Sequence, residues 1–213
     1  MAKKTMWTVV LAASVLQFAY GDAAGVAPFA RFCDGLLSRT VPAGWLRKAC
    51  ETQATGLTGH QEAMSYPYNS CHWAGVFPRK GEHGEEWWRY EQTAYYVDGL
   101  LRLGYALGDA ALTAKGERNV DYVLDHASPE GDLGDPCLWP GASTVQSNVP
   151  GFERTAGYEM WAMAVFFRAM KAKYDATGDA RIPAALAKYY LRYNVEQIAA
   201  ARNSVSIEGM LWT

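Results

Sequence analysis

Three carboxylates stand where this chain could do chemistry. Glu91, Glu159 and Glu208 each follow an aromatic or apolar residue (Tyr90, Tyr158 and Ile207) at the opening of a helix-like segment. A carboxylate there gains about 0.3–1 kcal/mol from the helix dipole, so its presence has a purely structural reading. The other reading presents the three groups to a ligand cleft at one rim, where carboxylates bind hydroxyls or work in acid–base pairs. Asp98 lies two helical turns beyond Glu91 and four residues before Arg102, a spacing that favours an ion pair over a cleft acid.

Aromatic residues gather around two stretches rich in glycine and proline. Trp73, Trp87, Trp88 and Trp139 fall in or beside them, with Tyr66, Tyr68 and Tyr90 close in sequence. Their flat faces could stack on sugar rings while their N–H and O–H groups bond hydroxyls, or they could pack the loops onto a core. His60, His72 and His83 share the first stretch at spacings of 12 and 11, which define no metal site. His126 ends a helix-like segment, where a cation suits the dipole, and reads as structural.

The elements that must position these groups follow a repeat. Tyr90-Glu91 opens an apolar segment that ends at Gly108-Asp109, and Tyr158-Glu159 opens another that ends at Gly178-Asp179. The period is 68 at the glutamate and 70 at the Gly-Asp pair, and Ile207-Glu208 begins a third copy. Glycine supplies a left-handed C-cap and aspartate caps the next helix, so each pair predicts a tight turn between two helices. The expected inner helices run from Trp88 to Leu107 and from about Ala156 to Ala176, and the second is apolar nearly all round through Met170. The expected outer helices run from about Ala110 to His126 and from Ala180 to Ala200, each with an apolar stripe and a wet side. Earlier helices are expected over Val26 to Thr40 and Pro42 to Gln53. Irregular segments separate the units at about 55–86 and 127–154. No period-2 stretch of useful length occurs, so the predicted class is all-α: an incomplete α/α toroid of helical hairpins whose long loops gather on one rim.

At 213 residues, with 50% hydrophobic and 13% aromatic content, the chain has material for a substantial core. A formal charge of −2 from 20 basic and 22 acidic residues leaves no basic stripe, which argues against nucleic acid as a partner. Residues 1–21 read as a signal peptide: Lys3 and Lys4, an apolar run from Met6 to Phe18, then Ala19-Tyr20-Gly21. That run is shorter than the roughly 20 residues that span a bilayer, so removal is expected, with no membrane contact afterwards and a secreted or periplasmic destination. In such a compartment Cys33, Cys50, Cys71 and Cys137 could pair in three ways, and their spacing fits neither a zinc ribbon nor a redox pair.

Several phrases resemble the glycoside hydrolase family 127 catalytic domain, the β-L-arabinofuranosidase type. They are Gly44-Trp45-Leu46, Gly56-Leu-Thr-Gly-His60, Trp88-Arg-Tyr-Glu-Gln-Thr-Ala-Tyr-Tyr-Val-Asp-Gly99 with Leu103-Gly104-Tyr105, Ala176-Thr-Gly-Asp179, and Arg202 to Trp212. The resemblance implies an (α/α)6 toroid enzyme, here incomplete, acting on plant-type glycans with terminal furanosides, and the signal-like start makes it an exported one. It also implies a cysteine nucleophile on a zinc site, built from a Glu-x-Cys motif and a later cysteine pair that this chain does not contain. Residues 22–213 are therefore expected to be the N-terminal part of the toroid domain, without cofactor or turnover of its own, since six such hairpins need several hundred residues. The expected substrate-binding set is His60, Trp73, Trp88, Tyr90, Glu91, Trp139, Glu159 and Glu208; the first of these rests on its place in the resembling phrase. Two other expectations stand beside this one: a non-catalytic glycan-binding α/α domain, and another toroid enzyme such as an unsaturated glucuronyl hydrolase, which would use inner-helix carboxylates and no zinc.

Overall fold

The computed structural model describes residues 37–70, 72–75, 88–134, 158–192 and 206–213. The expected signal peptide, Cys33, Cys71, Cys137, Trp139, residues 76–86 of the first long loop and 135–154 of the second lie outside the described residues, as do the side chains of Trp88, Tyr158 and Glu159. Among the described residues there is no strand, and the class is all-α.

Among the described residues the α-helices are α1 (Gly44–Thr55), α2 (Leu57–His60), α3 (Trp88–Leu107), α4 (Ala110–Asp125), α5 (Tyr158–Thr177), α6 (Arg181–Leu191) and α7 (Ile207–Trp212). The span expected over Pro42 to Gln53 appears as α1, and α3 has the bounds read from the sequence. Of the helix expected over Val26 to Thr40, only a 3-10 turn at Leu37–Arg39 is described. The first irregular segment is broken into α2 and short 3-10 turns at Gln61–Ala63, Tyr68–Ser70 and His72–Ala74.

The two Gly-Asp turns form as their chemistry requires. Gly108 and Gly178 take φ of 68° and 71°, left-handed values that a side chain would resist. Asp109 then accepts from the amides of Ala111 and Leu112 at 2.9 and 3.1 Å, satisfying two orphan donors of α4. Asp179 accepts from the amide of Arg181 at 3.1 Å.

Packing follows the repeat. The largest helix contact is α3 on α5, and α4 folds back on α3. From Gly108 to Val120 and from Gly178 to Tyr190, burial, half-burial and exposure recur at the same positions. The buried residues Leu112, Gly116, Asn119 and Val120 of α4 thus match Ile182, Leu186, Tyr189 and Tyr190 of α6, at the 70-residue period. Gly116 serves close approach: a Cβ there would lie 2.6 Å from Leu101 Cγ on α3. Tyr90, Val97, Leu101, Phe166, Phe167 and Met170 fill the α3–α5 interface with almost no exposure. From Ala162 to Met170 the one exposed position on α5 is Arg168.

The glutamate repeat does not keep the same register. With the helices aligned on their Gly-Asp ends, Glu91 is the fourth residue of α3 and Glu159 the second of α5. Two residues are about 200° around a helix, so the two positions are not equivalent, and Trp161 stands where Glu91 stands in the preceding unit.

Candidate functional site

The core side of α3 carries Tyr90, Ala94, Val97 and Leu101, and its opposite stripe carries Glu91, Gln92, Tyr95, Asp98, Gly99 and Arg102. That second stripe meets the segment that follows α1. Between them lies a cleft of about 480 Å3, lined by Thr58 and Gln61 on one side, Glu91, Gln92, Tyr95, Tyr96 and Gly99 on the other, and Tyr68 at one end. Its size falls within the range of small-molecule sites. The lining is hydroxyl, amide and carboxylate on aromatic frames, with Tyr95 half exposed.

Hydrogen bonds fix the walls. The Tyr68 hydroxyl donates to Gln92 Oε1 at 2.9 Å, and the Tyr68 and Tyr96 rings meet edge to face at 6.1 Å. The Tyr96 hydroxyl donates to one oxygen of Glu62, and the Lys115 ammonium from α4 donates to the other. Lys115 also donates to the Gly59 carbonyl at 2.8 Å. Burial pushes the Glu62 carboxyl upward, but the bonds from Lys115 and Tyr96 outweigh it and leave its pKa below the ordinary carboxylate value. Behind this wall is a smaller cleft of about 260 Å3 that shares Tyr68 and Tyr96 with the first.

A second polar group runs across α3, α5 and α7. Arg102 Nε donates to Asp98 Oδ1 at 2.7 Å, the i,i+4 pair expected from the spacing. Arg168 Nη2 lies 3.6 Å from Glu208 Oε2 and acts on Asp98 as a second cation. Burial nevertheless dominates at Asp98 and raises its pKa, with Glu208 adding in the same direction against the two arginines.

Of the expected binding residues, Glu91 lines the cleft. Glu208 is exposed and held loosely by Arg168, and it is not among the residues that line the cleft. His60 is exposed between the lining residues Thr58 and Gln61 but does not itself line the cleft. Trp88 and Glu159 are placed only as backbone positions at the starts of α3 and α5.

Trp73 and Tyr90 take a different place from the one expected: they are core residues, 1% and 0% exposed. The Trp73 indole stacks on Phe166 with ring centres 4.1 Å apart and donates its N–H to the Tyr90 carbonyl at 3.0 Å. Neither ring has a face left for a ligand. Sequence reasoning passed over Thr58, Gln61, Gln92, Tyr95 and Tyr96 of the lining, and Glu62, Lys115 and Arg168 beside it. Part of that set was readable, because Glu91, Tyr95, Asp98 and Arg102 fall at i, i+4, i+7 and i+11 on one face.

Among the described residues no three histidine, cysteine, aspartate or glutamate side chains come together to hold a metal ion. They do not supply the ligands of the zinc that the resemblance implies. Cys50, half-buried on α1, carries a free thiol. Among the described residues no helix is long and apolar enough to cross a membrane. Compared with known proteins, the chain matches no family model, no curated protein and no solved structure.

Proposed function

We propose that this chain is the carbohydrate-binding, N-terminal part of an α/α glycoside hydrolase domain of the family 127 type, and that the α3 cleft holds a sugar of its glycan. The observation that carries the reading is the cleft itself. An otherwise core-forming helix turns Glu91, Gln92, Tyr95 and Tyr96 toward an open volume of about 480 Å3. Sugars present both apolar ring faces and hydroxyls, and tyrosines, amides and a carboxylate answer both. Among the described residues the lining holds one carboxylate, Glu91, and we assign the cleft to binding, since glycoside hydrolysis ordinarily takes two such groups. The cysteine and zinc chemistry of the resembling family would belong to residues that this chain does not contain.

The hairpin period supports an arc of an (α/α)6 toroid, since α4 and α6 repeat one burial pattern at a spacing of 70. The basic and apolar start of the sequence supports export by the secretory route. A glycan array probed with the full chain tests the reading. Binding to furanoside-terminated plant glycans without turnover is the expected result, and no binding to any neutral glycan would count against it. Such binding would also fit a domain that never has catalysis of its own, so turnover in the longest natural form of the protein separates the two.

A second reading has its own observation. Asp98 is an inner-helix carboxyl whose pKa is raised by burial, the property of a general acid, and Arg102 and Arg168 flank it. That arrangement favours the zinc-independent toroid enzymes that act on unsaturated glucuronides. Release of product from an unsaturated glucuronyl disaccharide, abolished in Asp98→Asn, would support it.

A further inference from the structure

The outer wall of the α3 cleft is the segment from Leu57 to Ala63, which contributes Thr58 and Gln61 to the lining. Two short helical turns are a weak wall by themselves, because so few residues nucleate helix poorly and this stretch buries little. Gly59 is its one buried residue. What ties it to the helices is polar. Glu62 receives one bond from Tyr96 of α3 and another from Lys115 of α4, and Lys115 also holds the Gly59 carbonyl three residues earlier. The segment is thus fastened at two points to one ammonium, and that ammonium sits on the neighbouring outer helix rather than in the cleft.

We propose that Glu62 and Lys115 are positioning residues for the sugar site: together with Tyr96 they form a latch that sets the gap between the Thr58/Gln61 wall and the Glu91/Tyr95 stripe. This rests on the reading of the cleft as a glycan site. Neither residue lines that cleft, so each acts through the wall and through Tyr96, which does. Tyr96 also forms the partition, with Tyr68, between the larger cleft and the smaller one behind it. Loss of the latch removes the Tyr96–Glu62 bond and both ties of the wall to Lys115, which loosens the gap and the fixed geometry on which ligand affinity depends. Among the described residues the charged group bonded to Glu62 is Lys115, and Arg118 lines the same smaller cleft.

The test compares the full chain with Glu62→Ala, Glu62→Gln and Lys115→Met, reading amide hydrogen exchange over residues 57–63 and, separately, calorimetric binding of arabino-oligosaccharides. Exchange in 57–63 is expected to speed up at least tenfold in Glu62→Ala and Lys115→Met, with protection of α3 and α5 unchanged. Affinity is expected to fall about tenfold in the same variants. Glu62→Gln keeps an acceptor for Tyr96 and should lie between them and the wild type on both readouts. Unchanged exchange in Glu62→Ala and Lys115→Met overturns the latch, and faster exchange with unchanged affinity overturns its positioning role. If the wild-type chain binds no sugar, the carbohydrate reading and the positioning role fall together, while the exchange data still decide whether the latch exists.

Discussion

The ammonium of Lys173 on α5 lies 2.5 Å from Asp121 Oδ1 on α4, with only 7% of its side chain exposed. Asp179, at the turn into α6, stands 3.9 Å from the same ammonium, and Arg181 donates to both aspartates at 2.7 Å. One buried cation therefore ties together α4, α5 and the turn into α6.

Removing Asp121 should be costly in proportion to how far Lys173 is left unpaired. Breaking a fully buried pair costs about 3–5 kcal/mol, but Asp121 is partly exposed and Asp179 remains near by. Asp121→Asn is expected to lose about 1–3 kcal/mol in urea unfolding, with Lys173→Met losing less because it removes the buried charge itself. Equal, near-zero losses would show that the cluster is only a surface decoration.

The same cluster sets an acid limit. At Asp121 burial raises the pKa, but the bonds from Lys173 and Arg181 outweigh it, and at Asp179 the bond from Arg181 dominates; both carboxyls end below their ordinary value. A group with a lowered folded pKa contributes stability that is complete above the unfolded value, about 3.9, and is lost as pH falls through the folded one. Unfolding midpoints are expected to hold down to about pH 4 and to fall below it, less steeply in Asp121→Asn. An identical acid slope in that variant would remove Asp121 from the account.

Asp98 carries the opposite sign. Its folded pKa is raised, so its neutral form is favoured in the fold and ionisation costs stability as pH rises through that pKa. Asp98→Asn is therefore expected to be neutral or slightly stabilising at pH 7, the lost pair with half-exposed Arg102 being worth about 0.3–0.5 kcal/mol. At pH 3 the substitution should give no gain. A loss of several kcal/mol at pH 7 would mean that the ion pair, not burial, governs this group.

Trp73 separates core from site. Trp73→Ala is expected to cost about 3–5 kcal/mol in stability, because it empties the space against Phe166 and removes the indole N–H bond to the Tyr90 carbonyl. Tyr95→Ala, on the exposed stripe, should change stability by less than about 0.5 kcal/mol while weakening sugar binding. Chemical denaturation of the two variants side by side checks the contrast.

Much of this architecture was legible because it rests on local chemistry. Gly108-Asp109 and Gly178-Asp179 announce a left-handed cap and a following helix, and the sparse apolar stripe from Leu112 to Val123 marks a helix wet on one side. Registers and burial were less legible. The Tyr-Glu pairs look equivalent in sequence, but the helices are indexed by their capped C-termini, which leaves Glu91 and Glu159 out of phase. Trp73 and Tyr90 sit next to a loop and a motif that suggest a binding mouth, yet only the approach of Phe166, far along the chain, decides that they are core. The Glu62–Lys115 latch joins residues 53 positions apart and carries no local signal.

The most direct measurement is an NMR titration of the full chain with methyl β-L-arabinofuranoside and arabino-oligosaccharides, repeated with Tyr95→Ala and Glu91→Gln. The expected result is a set of shifts confined to Thr58, Gln61, Tyr68 and the Glu91–Gly99 stretch, with affinity reduced at least fivefold in both variants. Shifts elsewhere, equal affinity in the variants, or no response to any of these sugars would contradict the claim that the α3 cleft is a carbohydrate site.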